Sequence, residues 1–254
     1  MAVIKHTYYI YRRNLRLWVT QPAALIPPFF ISGLLFVVFG SSFGDVTNLA
    51  GFPAEDYTAF LTAMILVQAM VFSGGDAGFS MLTDILSGYF DKLLVAPINR
   101  FSILLGSLLV TGTRSFAQSV LIVLLALAMG VSFKGGSLGI VAVVLITTVF
   151  GIAWGCLGLI IALRTKSVQA TQSSYVLFFP FIFMTTAFMP KEFLPYWFQI
   201  ATTINPVTYV LEAVRAIIVE GWVWSTVGLG VGILAAFTAF LLSITTWLYN
   251  RQTA

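Results

Sequence analysis

Six long stretches of this chain carry no charged side chain: 17–44, 57–75, 115–133, 135–163, 167–190 and 221–250. A helix needs about 20 apolar residues to cross about 30 Å of hydrocarbon. Each run is continuously apolar rather than alternating, and each is far longer than the roughly 10 residues of a barrel strand. The expected fold is therefore an all-α membrane protein with six transmembrane helices, at about 23–43, 57–80, 104–131, 138–163, 168–189 and 225–249. Composition agrees: 59% of the 254 residues are hydrophobic and 9% charged. A soluble domain has about 45–50% apolar and about 25% charged residues. The length suits one membrane domain over 1–254. Pro27 and Pro28 interrupt the first run; inside a bundle their freed carbonyls find other donors, so a kink is expected there rather than an end. The first run is too long for a cleavable signal peptide and has no small-residue cleavage site.

Orientation follows the lysine and arginine bias of short loops. With the N-terminus inside, Lys5, Arg12, Arg13, Arg16, Lys92, Arg100, Arg164, Lys166 and Arg251 fall inside, against Lys134, Lys191 and Arg215 outside. The first outer loop, 45–56, holds Asp45, Glu55 and Asp56 and no base. This predicts an N-in, C-in topology.

Catalytic chemistry is tightly bounded. The single cysteine, Cys156, allows no internal disulfide or thiolate cluster, and the single histidine, His6, lies in the basic N-terminal segment. The acids are scattered, and no Gly-x4-Gly-Lys-Ser/Thr pattern exists to cradle a nucleotide phosphate. The chain is expected not to be an enzyme and to hold no metal or cofactor. Nucleic-acid binding is not expected from a few bases beside a membrane span.

Four features are not simple spans. Residues 1–20 alternate bases with Tyr8, Tyr9, Tyr11, Leu15, Leu17 and Trp18, the composition of an amphipathic helix on an anionic membrane surface; an ordinary basic flank is the plainer reading. The inward loop 84–100 shows Tyr89, Phe90, Leu93, Leu94 and Val95 before Pro97, an apolar face that needs lipid or a protein groove to cover it. The outward connection 190–224, broken by Pro195 and Pro206, carries two apolar helix faces: Phe193, Leu194, Trp197, Phe198 and Ile200, then Val210, Leu211, Val214, Ile217 and Ile218. It reads as a short helical hairpin dipping in from outside between the fifth and sixth spans, or as a pair floating at the headgroups. Asp76 and Arg114 are the ionisable residues nearest the hydrocarbon, each costing roughly 2.5–3.5 kcal/mol at mid-membrane. They mark either a polar element of a translocation path or a structural ion pair. Asp76 sits within Gly74-Gly75-Asp76-Ala77-Gly78, a small-residue patch that permits close helix approach. The run Tyr175, Phe178, Phe179, Phe181, Phe183, Met184 and Met189 suits an adaptable apolar cargo surface or plain packing.

Taken in order, the inward Gly88-Tyr89-Phe90-Asp91-Lys92-Leu93-Leu94-Val95-Ala96-Pro97-Ile98-Asn99-Arg100 and the outward Pro190, Leu194-Pro195, Trp197, Asn205-Pro206, Tyr209 and Arg215 resemble type-2 ATP-binding-cassette exporter permeases. The similarity is greatest to the daunorubicin-resistance and nodulation-exporter group and covers nearly the whole chain. Asp91 stands where members of that group often have Glu. The resemblance implies a coupling helix at 84–100 seated on a separate ATPase subunit, with Gly88, Asp91, Lys92, Leu93, Leu94, Pro97, Asn99 and Arg100 at the contact. It implies that the N-terminal helix also touches that subunit, and that Pro195, Trp197, Asn205, Pro206, Tyr209 and Arg215 belong to an external gate. It further implies two ATPase copies carrying the ATP and Mg, a second permease chain forming a homodimer, surrounding lipid, and a multi-pass place in the bacterial plasma membrane. The implied activity is outward export of an amphiphilic or lipid-linked cargo, such as a drug or glycolipid. Asp76, Arg114, Phe178, Phe179 and Met184 are the candidates for the path.

Energetics lead to the same partner. Swinging a two-state bundle from 1:99 to 99:1 takes about 5.5 kcal/mol, and this chain has neither a nucleotide site nor a ring of buried acids. A stiff lever at Leu94 and Pro97 would pass the energy in. The alternative is a secondary transporter or channel acting without an ATPase, which calls for intramembrane charges or matched broken helices; no internal repeat is evident. A membrane anchor or assembly factor would also suit the inward loop.

Overall fold

The computed structural model describes residues 2–20, 22–42 and 57–253. Among these every regular element is a helix: α1 Ala2–Val19, α2 Pro22–Ser42, α3 Tyr57–Leu86, α4 Tyr89–Val95, α5 Arg100–Ala128, α6 Gly136–Thr165, α7 Val168–Val176, α8 Phe178–Phe183, α9 Tyr196–Ile204, α10 Pro206–Val219 and α11 Trp224–Thr253, with one 3-10 turn at Lys191–Phe193. Four of them, α3, α5, α6 and α11, are long and apolar enough to cross a membrane. The helix α2 runs unbroken through Pro27 and Pro28, and its described apolar part is Phe29–Phe39. The acidic loop with Asp45, Glu55 and Asp56 lies outside the described residues.

The expected fifth span, 168–189, is not one helix but α7 followed by α8 and irregular backbone. Pro180 accounts for the break. Its ring collides with the carbonyl four residues back, which is Val176, where α7 ends. Pro180 then falls within the first turn of α8, where a missing N–H costs no helical bond.

The core is built around α3, whose buried positions extend from Tyr57 to Leu82. Small residues bring α6 against it. A Cβ on Gly74 would fall 2.6 Å from the Gly151 carbonyl oxygen, and one on Gly78 2.5 Å from that of Gly158. Only glycine permits such an approach. Hydroxyl pairs tie the same helices to α5: Ser73 with Ser115 at 2.8 Å, and Ser119 with Thr147 at 2.7 Å.

The two ends of the bundle are distinct. At one end α1 packs along α5, the α3–α4 corner sits beside it, and the Phe90 ring meets Tyr249 of α11 edge-on at 6.0 Å. At the other, Lys134 N–H donates to Ile218 O and Gly135 N–H to Ile217 O, both at 3.0 Å. The Trp222 indole N–H also bonds Gly135 O there, at 3.1 Å. The chain between α5 and α6 thus shares an end with the α10–α11 turn.

Candidate functional site

The corner at 84–100 is a short helix held from beneath. Gly88 takes φ 68°, ψ 8°, a left-handed conformation that turns the chain out of α3. The helix α4 then runs to Val95, and Ala96 leaves it in an extended conformation. Asn99 caps α5 by accepting from Phe101 N–H at 2.9 Å. The expectation that 84–100 shows a broad apolar face is corrected. Phe90 is 6% exposed, and Leu93, Leu94 and Ile98 pack partly buried against its cluster. Tyr89 lies under the Arg13 guanidinium, 3.7 Å from ring centroid to Cζ. Arg13 of α1 covers Tyr89, Tyr249 of α11 meets Phe90, and the remaining apolar side chains join a cluster shared with α3, α5 and α6. What remains outward is Asp91, Lys92, Val95 at 87% exposure, Pro97, Asn99 and Arg100.

Arg13 also grips Asp84 with two nitrogens, at 2.7 and 2.8 Å. This bidentate pair joins α1 to the end of α3 and holds the guanidinium pKa above its usual value. Sequence reasoning did not find it; the signal was an acid, Asp84, closing an apolar helix within reach of a basic segment.

Asp76 and Arg114 do meet. Arg114 Nη1 lies 3.4 Å from Asp76 Oδ2, and the Tyr175 hydroxyl donates to Asp76 Oδ1 at 2.7 Å. The Arg114 guanidinium also faces the Trp18 ring at 5.3 Å. One cluster thus links α1, α3, α5 and α7. Tyr175 is its unforeseen member, a polar tip among phenylalanines. The other path candidates separate: Phe178 is buried edge-on against Trp154 at 5.3 Å, whereas Phe179 and Met184 are exposed.

The segment 190–224 is organised by Asn205. Its Oδ1 accepts from Val207 N–H at 3.0 Å, capping α10, while its Nδ2 donates to Phe181 O at 2.6 Å and Met184 O at 3.0 Å. Pro206 opens α10, where its fixed φ suits the first turn. The Tyr209 hydroxyl donates back to Thr203 O at 2.7 Å. Arg215, only 9% exposed, donates to Ala187 O at 3.2 Å and lies 3.6 Å over the Phe60 ring. Asn205 and Arg215 therefore satisfy carbonyls at the end of α8 and in the irregular backbone that follows it. Of the two hairpin faces, that of α10 is buried against α3, α6 and α11, while α9 keeps Trp197 63% exposed. Pro195 begins α9. An apolar cavity of about 280 Å³ opens between α8 and this hairpin, lined by residues that include Phe181, Met184, Ile204 and Pro206.

Comparison with known proteins places this arrangement. The profile of the family described as ABC-2 type transporter matches residues 5–219. A daunorubicin resistance ABC transporter permease protein from Streptomyces coeruleorubidus is 31% identical over 235 residues, which is 91% of this chain and 79% of the relative. A protein named "Probable doxorubicin resistance ABC transporter permease protein", from Mycobacterium tuberculosis, is 22% identical over 208 residues, 82% of this chain and 73% of that relative.

Proposed function

Because this chain belongs to the ABC-2 type transporter family, we propose that it is the permease of an ATP-driven exporter, coupled through α4 to two copies of a separate ATPase that hold the ATP and Mg. The observation that carries this reading is the state of α4. It is braced from within by Phe90, Tyr89 and the Arg13–Asp84 pair, yet presents Asp91, Lys92 and Val95 outward. A braced helix transmits a push into α3 and α5 instead of yielding to it. Gly88, Leu93, Leu94 and Pro97 set its angle, and Asn99 and Arg100 start the helix that receives the motion.

In this reading the chain crosses a bacterial plasma membrane six times with both termini inside, α2 and the broken α7–α8 segment being the two crossings beyond the four long helices. A second copy completes the path. The exposed Phe179, Phe183, Met184 and Met189 support an apolar or amphiphilic cargo, since such side chains adapt to varied shapes. Pro195, Trp197, Asn205, Pro206, Tyr209 and Arg215 form the outer gate, with Asn205 and Arg215 as its fastening. The Asp76–Arg114–Tyr175 cluster holds α7 to α3 beside the path.

The test is Val95→Asp, at a position that contributes nothing to the core. Expressed with a cognate ABC ATPase, this variant is expected to remain monodisperse while retaining about a tenth or less of the ATPase capture and of doxorubicin export from vesicles. Undiminished capture and export overturns the proposal, as does uphill transport by the chain alone.

A further inference from the structure

The helix α1 has two stripes with different occupants. Thr7, Ile10 and Asn14 are buried toward α5, where Ile10 lies against Gly106, the Tyr11 hydroxyl meets Thr113 Oγ1 at 3.1 Å, and Ser102 Oγ donates to Val3 O at 3.2 Å. The second stripe, Tyr9, Arg12, Arg13, Arg16 and Leu17, follows the three- and four-residue spacing of one helix face and lines a concavity of about 310 Å³. Within it Arg13 is committed to Asp84 and Tyr89. Arg12 and Arg16 are exposed, one turn apart, and have no ion pair among the described residues. Two unpaired guanidinium groups on a helix that is itself bolted in place form a site prepared for an anion.

We infer that this concavity binds the phosphate headgroup of an anionic phospholipid. Three observations select that occupant. Guanidinium groups match phosphate oxygens in planar, two-point geometry. The site lies just ahead of α2, the first apolar helix, so it sits where the chain enters the hydrocarbon. The flanking Tyr9 and Leu17 offer apolar surface to the glycerol backbone and the upper acyl chain, which a free anion would leave unused. The site goes beyond general attraction of a basic helix to a charged surface, because its geometry is fixed by the Arg13–Asp84 clamp. It also assigns Arg12 and Arg16 to lipid.

The experiment uses the full chain purified in mild detergent, with native mass spectrometry counting added phosphatidylglycerol or phosphatidylcholine. The natural chain is expected to retain phosphatidylglycerol preferentially. The double variant Arg12→Gln, Arg16→Gln is expected to bind it about thirty-fold more weakly, as the loss of two cationic contacts implies. A control with the same charge loss, Arg164→Gln with Lys166→Gln, is expected to bind like the natural chain. Equal retention by the Arg12, Arg16 variant overturns the inference, and so does an equal loss in the control. Displacement of the lipid by 10 mM inorganic phosphate would identify a free-anion site and overturn the lipid assignment. Loss of ATPase capture in the double variant with lipid retention intact would give these arginines to the partner protein instead.

Discussion

The Asn205 side chain makes three hydrogen bonds, and each meets a backbone group that helix geometry leaves unpaired. Replacing it by alanine removes an N-cap and orphans two carbonyls, a loss of about 2 kcal/mol. For a chain of this size that corresponds to roughly 5 °C in the melting temperature. Asn205→Ala is therefore expected to melt about 5 °C lower in detergent, and Asn205→Asp to fall between the two, because a carboxylate still caps Val207 but donates nothing; an unchanged melting temperature in Asn205→Ala would contradict the fastening role. Asn205-Pro206 and Tyr209 were visible in the sequence as part of a family pattern, with Pro206 as a break between two apolar helix faces. The partners of Asn205 were not, since Phe181 and Met184 lie 24 and 21 positions away. The same holds for Asp76 and Arg114: each could be singled out by its cost in hydrocarbon, while the Tyr175 hydroxyl that completes the cluster carries no charge to betray it.

Among the elements, the contact of α3 with α6 sets the tightest constraint. Gly78 faces backbone atoms of Gly158 that cannot move aside as a flexible side chain would. Gly78→Ala is expected to cost about 1–3 kcal/mol by overpacking. Gly232→Ala, whose Cβ meets open space, is expected to gain up to about 1 kcal/mol from helix propensity. Thermal unfolding of the two variants side by side checks the contrast, and equal behaviour would contradict the close approach. The small-residue patch around Asp76 was legible because its spacing is a pattern within one helix. The break in the fifth run was legible in principle, through Pro180, but continuous apolarity outweighed a single residue there. The cover over α4 was not legible at all: Phe90 looks exposed until the last turns of α11 bring Tyr249 beneath it.

For the whole molecule, the two sets of contacts at opposite ends fix which connections share a side. The α3–α4 corner joins the C-terminal turns of α11 at one end; the α5–α6 connection joins the α10–α11 turn at the other. Cysteines placed at Val95 and at Trp197 are expected to react with an impermeant maleimide from opposite sides of sealed vesicles, Val95→Cys from the cytoplasmic side. The natural Cys156 is buried and stays silent. Labelling of both from one side would invalidate the topology. The interrupted α7–α8 segment has a further consequence for biogenesis. Asn205 and Arg215 bond the Phe181 and Ala187 carbonyls, at the end of α8 and just beyond it, from 24 and 28 residues downstream. A ribosome delivers these carbonyls before their fasteners, so each waits for its side-chain donor until α10 has been made.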